Sequence, residues 1–293
     1  MEDAMRAYKT CVVLITGCSS GLGRALAEEF FRQGHTVFAT ARCVEDIQDL
    51  ATLGVTTLSL DVTNSSSISA AIHTIVNHTG RIDILINNAG YGLMGPMVEI
   101  PLTEARLQFE TNVIGPLALV QAVFPYMMKQ GEGRIVNVGS ASGILTTPFA
   151  GLYCASKAAL HSLSDALRLE MAPFGIKVIT LQPAKIASKF GDNAANILRK
   201  LFLQDSVYSP IFQFIEMRAR ASQFDATSAA KFASSIVRAV TRKKPPHLLR
   251  FGKESLKMPI YKWAVPMKLM DGILSKMFGL HLLRIQSMDK RIK

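Results

Sequence analysis

Three glycines set between an apolar run and a helical run constrain the fold of this chain more than any other feature. Cys11–Ile15 (CVVLI) reads as a buried parallel strand and Thr16–Gly23 (TGCSSGLG) as a tight turn. Arg24–Gln33 follows as a helix, apolar at Ala25, Leu26, Phe30 and Phe31. Each glycine has its own task in such a unit. Gly17 permits the turn, Gly21 lets the backbone approach a pyrophosphate, and Gly23 allows the helix to pack closely on the strand. Ser19, Ser20 and Leu22 complete the loop, and the helix N-terminus offers N–H donors and a favourable dipole to phosphates. The segment is expected to bind a dinucleotide.

The strand–helix theme then recurs. Val37–Thr40, Thr57–Leu60, Ile82–Ile86, Arg134–Val138 and Lys177–Leu181 are short apolar runs separated by helical patterns. That alternation predicts an α/β fold: a doubly wound parallel sheet of Rossmann type, helices on both faces. No repeat or low-complexity linker interrupts the 293 residues. The reading is one catalytic domain over residues 1–240, followed by a basic amphipathic helical extension over 241–293. Cys11, Cys18, Cys43 and Cys154 form no CxxC pair and read as packed thiols of a reducing compartment. The six histidines lack ligand spacing, so no metal is expected. Met1–Arg6 has no apolar core, and a signal peptide is not expected. Thr111–Met128 is uncharged for long enough to test as a membrane span. It holds Asn112, Gln121 and two prolines and lies between strands, so it reads as a buried helix.

Chemistry enters with Tyr153 and Lys157, four residues apart and therefore on one helix face, and with Ser140 upstream in VGSASG. An ammonium there can hold a phenol near ionisation, and a serine hydroxyl can orient a substrate oxygen. Such a set suits general acid/base work on an alcohol or ketone.

Taken together, Thr16–Gly23, Asn87–Gly90 (NNAG), Asn112, Ser140 and Tyr153–Lys157 (YCASK) give the chain a specific resemblance over residues 9–190. It resembles the short-chain dehydrogenase/reductases, and the resemblance implies a catalytic tetrad of Asn112, Ser140, Tyr153 and Lys157. Tyr153 would exchange the proton. Lys157 would lower its pKa and bind the ribose, Ser140 would hold the oxygen, and Asn112 would support a relay water. Asp61 and Val62 match the family's adenine contact. Asn88, Ala89 and Gly90 match the floor beneath the cofactor, where a purely structural turn is an equal reading. Pro183, Ile186 and Ser188 match the segment beside the nicotinamide. Two positions there depart from pattern: Ala184 stands where the family has glycine, and Lys185 adds a charge at the site entrance. Arg42 follows the second strand where an NAD-preferring chain places an acid, which points to NADPH/NADP+ through the 2′-phosphate. The alternative is a solvated Arg42 paired with Glu45 or Asp46. The helix around Thr111–Met128 is implied to take part in a homodimer.

Charge is confined to one end. Residues 231–293 hold 15 Lys and Arg against 3 acids, whereas residues 1–230 hold 18 against 19. In Lys257–Met270 the cations alternate with Tyr261, Trp263, Met267 and Leu269, and Ile273–Arg284 continues the pattern. Segments of this kind lie on anionic bilayer surfaces. Insertion of Trp263, Met267, Leu269 and Phe278 is expected, with packing of the segment on the core as the alternative. No nucleic-acid module accompanies the charge, and nucleic acid is not expected as a partner.

A lid over about residues 190–225 is expected to cover the substrate with Leu198, Leu201, Phe202, Tyr208, Ile211, Phe212 and Ile215, helped by Ile144–Phe149. Within the family the chain is similar to NADPH-dependent acyl-dihydroxyacetone phosphate reductases through Phe149–His161, Leu169–Gly175 and Ser275–Leu280. The glycine turn is equally similar to that of hydroxysteroid and retinol dehydrogenases, and a non-catalytic NADP(H) sensor stands further off. The expected activity is NADPH-dependent reduction of a lipophilic ketone. The expected place is the cytosolic face of a membrane, endoplasmic reticulum or lipid droplet in a eukaryote, or otherwise the cytoplasm.

Overall fold

The computed structural model describes residues 10–252 and 254–283. The readings made on Met1–Arg6 and from Arg284 onward lie outside them. Seven strands form one parallel sheet: β1 Val12–Ile15, β2 Thr36–Ala41, β3 Thr56–Ser59, β4 Ile84–Asn87, β5 Gly133–Val138, β6 Ile176–Pro183 and β7 Leu248–Phe251. Their order is β3-β2-β1-β4-β5-β6-β7. The helices are α1 Gly21–Arg32, α2 Gln48–Thr52, α3 Ser65–Thr79, α4 Leu102–Phe109, α5 Gly115–Gln130, α6 Gly151–Met171, α7 Phe190–Leu201, α8 Phe212–Ala219, α9 Ala229–Val240, α10 Lys257–Ala264 and α11 Met267–Met277.

Both faces of the sheet are covered, so the central strands are mostly buried and sort their apolar side chains by twos. Val13, Ile15, Ile84, Ile86, Val136 and Ile179 pack against Leu26, Ala27 and Phe30 of α1 and Phe232, Ile236 and Val237 of α9. Val12, Leu14, Leu85, Ile135 and Val178 point the other way, onto Ile72 and Ile75 of α3 and Leu119 and Val123 of α5. Phe31, expected on the apolar side of α1, stays 37% exposed, and Ala27 takes the inward position.

Between α4 and α5 the helix runs on through a π-helical turn, Glu110–Ile114. Leu102–Gln130 is thus the one helix among the described residues long and apolar enough to cross a membrane by length and composition. Its inner face, Leu119, Val120, Val123 and Met127, is occupied by the core.

The C-terminal fifth corrects two expectations. A domain boundary after residue 240 cuts the sheet, because β7 pairs in register with β6, Thr180 opposite Leu248 and Pro183 opposite Phe251. This strand is four residues long, at the edge and only half-buried, so it lacks the continuous apolar run that marks its neighbours. Phe278 does not face outward: it is buried against Leu274, Leu280 and the lid. Trp263 and Met267 stay 88% and 79% exposed, and Leu269 is exposed as well.

Candidate active site

Chain order reverses between β1 and β4, the point at which a doubly wound sheet opens a crevice beyond its strand ends. A cavity of about 1310 Å³ lies there. Gly17, Ser19, Ser20, Gly21 and Leu22 line it with Arg42, Asp61, Val62, Asn88, Ala89, Gly90, Pro183, Ile186 and Ser188, and so do Ser140, Tyr153 and Lys157. Gly23 and Asn112, also expected at the site, do not reach the cavity. Gly23 is packing: a Cβ there would stand 2.4 Å from the Gly17 carbonyl oxygen.

Gly17 has φ +72°, and a Cβ would stand 2.8 Å from Ala89 Cα, so the turn after β1 and the turn after β4 touch backbone to backbone. Asn88 clasps them: its Nδ2 donates to the Thr16 and Gly17 carbonyls at 2.8 and 3.0 Å, while Thr16 Oγ1 accepts from the Asn88 and Ala89 amides. The structural role of this turn is therefore real. Ala184 asks for no positive φ, since Phe149, Asp225 and Glu254 are the described non-glycine residues that have one. Loss of glycine at Ala184 costs the loop nothing, and its N–H donates to Phe251 at 2.9 Å. Lys185 is paired with Glu254 at 3.4 Å. Arg42 makes no ion pair with Glu45, Asp46 or any other described residue. Its charge instead helps the Thr63 N–H hold Asp61 below the usual carboxylate range.

The reacting groups stand at two places. Ser140 lies two residues beyond β5, at the start of a short 3-10 turn, and Tyr153 and Lys157 share one buried face of α6. Lys157 Nζ donates to the Val138 carbonyl at 2.8 Å, and burial pushes its pKa down to about 8. Burial pushes Tyr153 up to about 12, opposed by a hydrogen bond with Ser140. Burial is the largest influence on Tyr153 here, and Lys157 Nζ is held by the Val138 carbonyl. A phenol so raised keeps its proton at neutral pH, the state of an acid able to protonate a developing alkoxide. Asn112 lies one layer behind, fully buried in the π-helical turn. Its carboxamide accepts from the Tyr91 N–H at 3.2 Å and donates to the Tyr91 carbonyl and Ser156 Oγ, both at 3.1 Å. It positions the strand-end turn instead of facing substrate.

The far end of the cavity is less greasy than its sequence suggests. Leu198, Ile211 and Ile215 turn away from the cavity into a buried cluster with Phe149, Phe202 and Phe212. The lining side of α7 is Phe190, Asn193, Asn196, Ile197 and Lys200, joined by Leu145, Thr147, Arg218 and Ser222 and by Tyr261, Met270, Ile273 and Leu274 of the C-terminal helices.

His161 was not singled out by its sequence, although its place four residues beyond Lys157 put it on the same helix face. Its Nε2 accepts from the Ser140 N–H at 3.3 Å and its Nδ1 stands 3.4 Å from Gln182, which accepts from Arg250 at 2.9 Å. Burial, then the Lys157 charge, push His161 down to about 4. A neutral folded-state histidine gives stability that is complete above its unfolded pKa near 6.5 and is lost as pH falls from there towards 4. Denaturant unfolding of wild type between pH 7 and 4 should lose up to about 3 kcal/mol through this group. His161→Gln should lack that part of the slope; parallel curves for the two proteins would exclude the assignment.

Comparison with known proteins agrees with this geometry. A curated 3-ketodihydrosphingosine reductase of Bacteroides thetaiotaomicron is 37% identical over 246 residues, 82% of this chain and 87% of that one. A short-chain dehydrogenase/reductase of Pestalotiopsis microspora is 34% identical over 92% of this chain and 94% of its own length. The crystal structure of a short-chain dehydrogenase from Streptomyces avermitilis superposes with a TM-score of 0.74 at 31% identity, covering 94% of this chain and 97% of that one. One from Burkholderia phymatum in complex with NAD gives 0.73 at 25%, over 83% and 90%. The family model described as short chain dehydrogenase matches residues 11–196, from the strand before the glycine turn to the middle of α7, and this chain belongs to that family of oxidoreductases.

Proposed function

We propose that this chain is an NADPH-dependent carbonyl reductase acting on a lipophilic ketone at a membrane surface, with Tyr153 as general acid. The observation that carries the reading is one cavity lined at once by the glycine turn, by Ser140, Tyr153 and Lys157, and by residues of α7, α8, α10 and α11. When bound, a reduced nicotinamide supplies the hydride. The chain's residues do the rest. Ser140 Oγ holds the carbonyl oxygen, Tyr153 Oη delivers its proton there, and Lys157, with a pKa of about 8, stabilises the resulting phenolate. His161 and Asn112 keep the serine and the Tyr91 turn in place.

Arg42 supports NADPH, because an unpaired guanidinium beside the adenosine end suits a 2′-phosphate. A lipid substrate is supported by the apolar walls that α10 and α11 lend the cavity, and by the relative named as a 3-ketodihydrosphingosine reductase. Acyl-dihydroxyacetone phosphate is the candidate we favour, with a ketosphingoid base as the second reading.

Trp263, Met267 and Leu269 are exposed apolar side chains in a segment that also holds Lys257, Lys262, Lys268 and Lys276, a composition suited to the cytosolic surface of an anionic bilayer. Truncation at residue 240 would remove β7, so point variants are the better test. NADPH should be oxidised with long-chain ketones offered in anionic vesicles, faster than NADH. A Trp263→Ser, Met267→Ser, Leu269→Ser variant should lose several-fold in rate on vesicles while keeping its rate on a short, soluble ketone. No ketone reduction by wild type would end the catalytic reading, and an unchanged vesicle rate in the variant would end the surface reading.

A further inference from the structure

One charge in the chamber is left over. Arg218, near the end of α8, lines the cavity and donates through Nε to Thr147 Oγ1 at 2.6 Å. Desolvation lowers its pKa from the ordinary value, and its charge is felt at Tyr153 and Cys154, the turn of α6 that bears the phenol. No described carboxylate pairs with it. The neighbouring arginines on either side show the contrast: Arg199 is paired with Glu216 and Arg220 with Asp192. A desolvated, unpaired cation destabilises a fold unless something answers it. The cofactor's phosphates are assigned above to the glycine turn at the start of α1, whereas Arg218 stands on α8.

Two further groups converge on the same region. Lys200 lines the cavity from α7 and makes no ion pair among the described residues. Ser222, just past α8, also lines it and has a buried hydroxyl with no hydrogen-bond partner. Lys185 is the other cation on this side and is already paired with Glu254. The terminal nitrogens of a guanidinium whose Nε is held by a threonine form a fixed fork, the geometry that matches a phosphate or carboxylate.

We propose that Arg218, with Lys200 and the Ser222 hydroxyl, receives an acidic group of the ketone substrate. The proposal rests on the reductase reading above and narrows it: the chamber selects ketones bearing phosphate or carboxylate over neutral ones. It disfavours those bearing an ammonium, because a buried like charge is repelled. Of the two candidate lipids, the acyl-dihydroxyacetone phosphate fits this chamber and the ketosphingoid base does not.

The test is kcat/KM with NADPH for four ketones of matched chain length: an acyl-dihydroxyacetone phosphate, the same compound without phosphate, a keto acid and 3-ketodihydrosphingosine. Wild type should prefer the anionic pair, and the arm that wins separates phosphate from carboxylate. In Arg218→Met the anionic-to-neutral ratio should fall on the order of 100-fold, as when one partner of a desolvated charge pair is removed. Arg218→Lys, which keeps the charge without the fork, should recover part of it; a purely structural role through Thr147 predicts no dependence on substrate charge. A wild-type ratio near one, preference for the sphingoid base, or an unchanged ratio in Arg218→Met overturns the proposal while leaving the reductase reading intact. Should Arg218→Met not fold, Lys200→Gln carries the same comparison, and an unchanged ratio there overturns the site as drawn. If wild type reduces none of the four, the reductase reading has failed. Titration calorimetry of the NADP+-loaded protein with 1-acylglycerol 3-phosphate then decides the anion site: binding lost in Arg218→Met supports it, and no binding to wild type ends it.

Discussion

Tyr153→Phe is expected to lower turnover on the order of 1000-fold, the scale of one positioned proton donor, while cofactor affinity changes little. The substitution is well matched to the site. The phenyl ring still packs on Phe190, whose ring centre lies 5.3 Å away, so the α6 face and the chamber wall keep their shape. What is lost is the hydroxyl that interacts with Ser140 and whose pKa burial raises. Cofactor fluorescence titration provides the control, and single-turnover rates with a ketone give the effect. Turnover within a few-fold of wild type would transfer the acid role to another group and undo the reading of the site.

Arg42→Asp is the second substitution expected to act strongly. It removes a guanidinium from the adenosine end of the cavity and adds repulsion where a 2′-phosphate would stand. The NADPH-to-NADH ratio of kcat/KM should therefore fall by roughly 100-fold or more, since charged hydrogen bonds of this kind contribute about 1.5–3 kcal/mol each before repulsion is added. Asp61 lies within the reach of the Arg42 charge, so a new acid at position 42 also crowds two carboxylates together. Fold should be untouched, because Arg42 is exposed and bonds to Ser59 only through its backbone carbonyl. An unchanged ratio would make Arg42 a solvated side chain and return cofactor choice to other residues.

The five inner strands could be read from their residues because both faces of the sheet are covered and their buried positions are mostly apolar; β3, the other edge, is TTLS and partly exposed, and shows only through its place in the strand–helix alternation. β7 could not, since an edge strand of four half-buried residues in a basic, proline-bearing stretch looks like surface. The glycine turn, Arg42, Ser140, Tyr153 and Lys157 were legible through local spacing. Asn112 was legible as a residue but not as a buried clamp, because nothing in its neighbourhood shows that a π-helical turn aims it at the Tyr91 backbone. The lid was misjudged for a different reason: Leu198, Ile211 and Ile215 are apolar because they pack on each other, and the cavity takes the other face of α7. Arg218 and His161 gain their meaning from partners at Thr147 and Ser140, far away in sequence.

The pairing of α1 with α9 has a consequence for biosynthesis. The inward face of α1, with Leu26, Ala27 and Phe30, is covered by Phe232, Ile236 and Val237, so the first helix made waits for nearly the last of the sheet domain. At ribosomal rates that delay is roughly 10–40 s, far longer than collapse or helix formation. During it the nascent chain carries an apolar stripe and a parallel sheet that has β3, β2 and β1 but is still gaining strands on the β4 side. Such intermediates are what chaperones hold, and a chain with this connectivity leaves its N-terminal third in need of them until synthesis passes residue 240.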